Sequence, residues 1–126
     1  MCLHCRNYHA GGAVAYPAEV LDLYQDLGID SRLPAEVMHC KQIAPGRHLY
    51  GGWFHFVGSI ESGPDARRRL TETVQTIDLE AVDSAFRIGF TAEPSIYFRA
   101  FVREPLVQIE FETEARWVLD EPEPDA

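Results

Sequence analysis

Hydrophobic and polar positions follow a helical period in one short stretch near the start of the chain and a period of two through much of the remainder. Within Pro17–Leu27, Val20, Leu23, Tyr24 and Leu27 fall at i, i+3, i+4 and i+7, one apolar stripe along a helix. Pro17 suits the first turn, Glu19 and Asp22 lie near the positive end of the macrodipole, and Gly28 is a natural stop. Residues 1–15 show no period, and Gly11-Gly12 interrupts any regular element, so this segment reads as a loop or knuckle needing something to hold it. Leu70, Val74 and Ile77 stand at helical spacing and predict a second helix over 65–77, although the β-branched residues from Thr71 to Ile77 oppose it.

The strand pattern begins at Glu36. Glu36–Ile43 and Arg47–Ile60 read as a hairpin about a Pro45-Gly46 turn, with Pro and Gly at the central positions of type II chemistry. If Ala44 faces Arg47, Cys40 stands opposite Gly51, His39 opposite Gly52 and Met38 opposite Trp53. Cys40, Trp53 and His55 then share one face, and Val37, Tyr50, Phe54 and Phe56 the other. A bulge shifts this register by one residue. Phe86–Phe90, Ile96–Val102 and Leu106–Leu119 are further strands; in the last, Val107, Ile109, Phe111, Thr113, Ala115 and Trp117 face one way and Gln108, Glu110, Glu112, Glu114 and Arg116 the other. Two helices and about five strands without strict βαβ alternation predict an α+β domain, with a mainly antiparallel sheet or partial barrel. One domain over 1–119 is expected, followed by a disordered acidic, proline-rich tail at 120–126.

Charge narrows the partners. Eleven Lys+Arg against 20 Asp+Glu give a net charge of −9, which argues against nucleic acid and against anionic lipid. No apolar run approaches the ~20 residues that span a bilayer. Met1–Arg6 lacks the apolar stretch of a signal peptide, so the expected compartment is the cytoplasm.

Three cysteines, Cys2, Cys5 and Cys40, make a disulfide framework a poor reading. Cys2-x2-Cys5-x3-His9, with His39-Cys40 downstream, is the strongest constellation: two thiolates three apart can grip one ion from a tight turn. Thiolate with imidazole favours zinc, with iron second. The expected ligands are Cys2, Cys5 and His9 joined by His39 and Cys40, with His4 or water as other candidates for the last position. Four protein ligands would make a structural staple, and three plus water an open position. A thioredoxin-type dithiol is disfavoured, since nothing in the pattern makes the pair follow a strand or open a helix.

A second constellation is Gly51-Gly52-Trp53-Phe54-His55. Two glycines inside an aromatic strand mark a bulge or a close approach to the backbone. Trp53 and His55 are candidate pocket residues, with His55 as the proton-transfer group. His48, just after the turn, reads as solvent-exposed, and Arg67-Arg68-Arg69 as a solvated face. Arg87, Arg99 and Arg103 lie on predicted strands and are candidates to cluster around a small acid. No dinucleotide, phosphate-loop, HExxH or GxSxG signature occurs. The expectation is a small metal-binding domain, zinc the first choice, taking a small molecule or protein partner. A metal- or His-dependent enzyme at the Gly51–His55 strand is the alternative. If Leu106–Leu119 is an edge, it could pair with a partner or a second copy.

Overall fold

The computed structural model describes residues 2–11, 16–92 and 104–124. Its frame is a five-stranded antiparallel sheet of β1 (Glu36–Ala44), β2 (Arg47–Val57), β5 (Glu80–Ala81), β6 (Phe86–Thr91) and β7 (Leu106–Arg116), in the order β1-β2-β7-β6-β5. Helices α1 (Leu3–Gly11) and α2 (Ala18–Asp26) cover one face. A separate two-stranded sheet pairs β3 (Arg67–Arg69) with β4 (Gln75–Ile77). The α+β expectation therefore holds as an open sheet rather than a closed barrel. The predicted strand Ile96–Val102, with Arg99 and Arg103, lies outside the described residues.

The helix expected over 65–77 is instead this β3–β4 hairpin. Thr71, Thr73, Val74, Thr76 and Ile77 lose side-chain freedom in a helix and fit a pleat. Arg68 pairs with Asp78 across it at 2.8 Å. The N-terminal knuckle is also not a loop: residues 3–11 form α1, with Cys2 at its start and Gly11 its last residue. The first turn is completed by Arg6 N–H to the Cys2 carbonyl at 2.9 Å.

In the β1–β2 hairpin, Ala44 faces Arg47 as expected, and Gly46 supplies the positive φ of 78° that the turn requires. Two one-residue irregularities follow, between Gln42 and Ala44 and between His39 and Lys41. They put His39 opposite Tyr50, Met38 opposite Gly51 and Glu36 opposite Trp53. The expected partners are thus displaced by two residues in all. Because the pleat repeats every two, the faces survive the double slip. Gly52 marks the predicted close approach: a Cβ there would stand 2.9 Å from the Phe111 ring and against the Glu36 carbonyl.

The inward face carries Tyr50, Phe54, Phe86, Ile109 and Phe111 against Tyr8 of α1, Tyr16, and Val20 and Tyr24 of α2. Phe111 is the hub, with ring centroids 5.4–6.5 Å from Tyr8, Tyr16, Phe54 and Phe86. Strand β7 alternates as predicted except at Gln108, expected on the wet face but buried, and it is paired on both sides, so it offers no free edge to a partner. The acidic end is not loose through residue 124. Glu121 meets Arg6 at 2.6 Å, and Glu123 is held by several hydrogen bonds.

Asn7, fully buried, is what fastens α1 to the sheet. Its amide donates to the Arg116 carbonyl at 3.0 Å and the Tyr50 hydroxyl at 3.2 Å, and its carbonyl accepts from Val118 N–H at 2.7 Å. Asn7→Ala would leave these partners, buried or half-buried, without their hydrogen bonds. A loss of about 2–4 kcal/mol is expected in denaturant titration. A change within about 0.5 kcal/mol would show that α1 is held otherwise.

Candidate metal centre

The docking of α1 brings three imidazoles together from separate elements. His4 comes from its first turn, His39 from β1 and His48 from the start of β2. One nitrogen from each lies within 4.8 Å of the others, and this is the group of metal-ligand geometry among the described residues. The His4 and His39 rings stack at 3.7 Å with 11° between planes. His39 Nε2 and His48 Nδ1 are 2.9 Å apart. On its far side, His48 Nε2 lies 2.6 Å from Glu123 Oε1.

Glu123 is itself positioned. It accepts from Gly46 N–H at 2.9 Å and from Gln42 Nε2 at 2.8 Å. Burial works to raise its pKa, but these donors and His48 outweigh it and hold the carboxyl below its usual range. An ionised carboxylate only accepts, so His48 Nε2 carries a proton. In the neutral ring, His48 Nδ1 then offers its lone pair inward, 2.9 Å from His39 Nε2. Burial, followed by the neighbouring His4 and His48, lowers the His39 pKa, which favours the neutral ring a metal needs.

His4 Nδ1 is buried and has no hydrogen-bond partner among the described residues. The Tyr50 hydroxyl donates to the His4 carbonyl at 2.9 Å, fixing the backbone beneath the ring. Trp117 closes the side, its ring 6.0 Å from His4 and 5.5 Å from His48, with its indole N–H donating to the Glu121 carbonyl at 2.8 Å.

Of the candidate ligands singled out from sequence, His39 and the alternative His4 enter this group. Cys2 and Cys5 flank His4 at the start of α1 but lie outside it, and His9 is exposed on the last turn with its ring edge on Tyr8. Cys40 occupies a β1 irregularity on the opposite face, its sulfur 3.5 Å from where a Gly51 Cβ would be. Burial, then Glu112, pushes its thiol pKa up. Trp53 and His55 share that opposite face, and His55 Nε2 meets Gln108 Oε1 at 2.8 Å. They line neither the cavity of about 690 Å³ beside Phe56, Ile88 and Phe90 nor that of about 260 Å³ beside Lys41 and Arg87. His48, expected to be exposed, is only 1% exposed and central to the cluster.

The Cys2–Cys5 pair opens a helix after all. Cys5 N–H donates to Cys2 Sγ at 3.2 Å. The Cys5 thiol, followed by the Cys5 backbone N–H, lowers the Cys2 pKa, while the Cys2 sulfur raises that of Cys5. No helix of the described residues is long and apolar enough to cross a membrane. No protein-family model, curated protein or solved structure matches the chain.

Proposed function

We propose that this protein binds one divalent transition-metal ion through His4, His39 and His48, with zinc the first choice and a fourth coordination position open to a small ligand. The observation that carries the reading is the His4–His39–His48 convergence around a buried, unpartnered His4 Nδ1. Imidazole suits zinc, and a carboxylate behind a ligating histidine, as Glu123 stands behind His48, orients the ring and raises its basicity. Zinc–nitrogen bonds are about 2.0–2.1 Å long. Parallel rings 3.7 Å apart cannot both aim in-plane lone pairs at one ion at that distance, so His4 must turn out of its stack on His39.

Titration of the reduced, untagged chain with zinc, or with cobalt as a spectroscopic substitute, tests the reading. One ion per chain is expected, with a tetrahedral cobalt spectrum and a change in Trp117 fluorescence. Less than about a tenth of an equivalent held would sink the proposal, since a formed site fills. Binding that survives loss of the three histidines and vanishes in Cys2→Ser or Cys5→Ser would hand the ion to the thiols. Three protein ligands also fit a second reading, in which a metal held by His4, His39 and His48 would keep a position open for activating a water. That reading requires metal-dependent turnover of a chromogenic ester.

A further inference from the structure

We propose that Cys2 and Cys5 form a redox-active dithiol that exchanges with small disulfides of the glutathione type. This goes beyond the metal reading and does not rest on it, because the three imidazoles leave both thiols unused. Three features support it. Residues three apart on a helical turn have Cα atoms about 5 Å apart, inside the span of about 4.4–6.8 Å that a disulfide bridges. Cys2 is exposed, so a disulfide can approach it, whereas Cys5 is half-buried behind it. Finally, Cys5 N–H points at Cys2 Sγ from 3.2 Å, a donor placed to steady a developing thiolate.

The reaction balances without a metal. The Cys2 thiolate attacks one sulfur of oxidised glutathione and expels one glutathione thiolate, leaving a mixed disulfide at Cys2. The Cys5 thiolate then attacks the Cys2 sulfur and expels the second glutathione. The chain gives up two electrons and two protons, and two glutathione thiols carry them away. Cys40, on the opposite sheet face, serves as an internal control.

The test equilibrates the full chain in anaerobic glutathione buffers of graded ratio with a chelator present, alkylates remaining thiols, and maps them by mass spectrometry. The expected result is a single two-electron transition that removes Cys2 and Cys5 from the alkylated set together and leaves Cys40 alkylated. Cys5→Ser should trap one glutathione per chain on Cys2, with far-ultraviolet dichroism unchanged. The proposal is overturned if both thiols stay reduced in the most oxidising buffer, or if the native chain accumulates the mixed disulfide without resolving it. Because no metal is added, this failure is distinct from failure of the trihistidine reading.

Discussion

His48→Ala is expected to weaken zinc binding by about a hundredfold or more, the largest effect of any single ligand change. The substitution removes a donor nitrogen. It also leaves the Glu123 carboxylate with only Gly46 N–H and Gln42 as partners in a half-buried place. A structural zinc site is worth about 10–16 kcal/mol in all. One ligand of three therefore carries a few kcal/mol, and each 1.4 kcal/mol is tenfold. Glu123→Gln isolates the outer carboxylate: the amide oxygen can still accept from His48 Nε2–H, so ring orientation is kept and the charge is lost. Its expected cost is about 10–100-fold, smaller than that of His48→Ala. Competition against a chromophoric chelator measures both. Parent-like affinity in His48→Ala would remove this imidazole from the site. Parent-like affinity in Glu123→Gln would show that Glu123 acts by holding the ring rather than by its charge.

The sheet was legible because period-two alternation is a local signal and a buried face imposes it. Val107 to Ala115 point inward at every second residue, as their pattern requires. The hairpin turn was legible for the same local reason. One bulge was open from the turn chemistry; what escaped was that β1 slips twice, at positions no residue in 40–43 announces. His48 could still have been placed, since it shares parity with Tyr50, Phe54 and Phe56 on a strand whose even positions face the core. Its nearness to the turn suggested solvent, but Glu123 returns to cover it. Helix α1 escaped because it has only a weak apolar stripe. Asn7 and Tyr8 hold it through long-range contacts with Tyr50, Phe111, Arg116 and Val118. The histidine cluster depends on that docking, so the Cys-rich spacing pointed to the right segment, where His4 was read only as an alternative to the thiols. Likewise 65–77 carries both a helical spacing of Leu70, Val74 and Ile77 and a β-branched composition. The composition prevailed once Asp78 N–H could bond the Ala66 carbonyl at 2.7 Å.

Alkaline pH is expected to unfold the chain cooperatively, because the core is built on phenols that resist ionisation. Burial pushes the Tyr8 pKa up to about 12, and burial also raises those of Tyr16 and Tyr24. An unfolded chain ionises its tyrosines near pH 10. A group that titrates higher when folded contributes stability that is complete below its unfolded pKa and is lost as pH rises through its folded pKa. For Tyr8 that window runs from about 10 to 12, and two pH units amount to about 2–3 kcal/mol. Tyr16 and Tyr24, 6% and 1% exposed, add to it, against a total stability of about 5–15 kcal/mol for an ordinary domain. Tyrosinate absorbance from these rings should therefore rise in one steep step together with loss of near-ultraviolet dichroism. The Tyr24 hydroxyl, buried with no hydrogen-bond partner among the described residues, provides the control. Tyr24→Phe removes an unsatisfied polar group and should add about 1 kcal/mol at neutral pH, moving the alkaline midpoint upward. Gradual ionisation near pH 10 with the dichroism intact would mean that water reaches these rings in the folded chain, and the aromatic core would have to be redrawn.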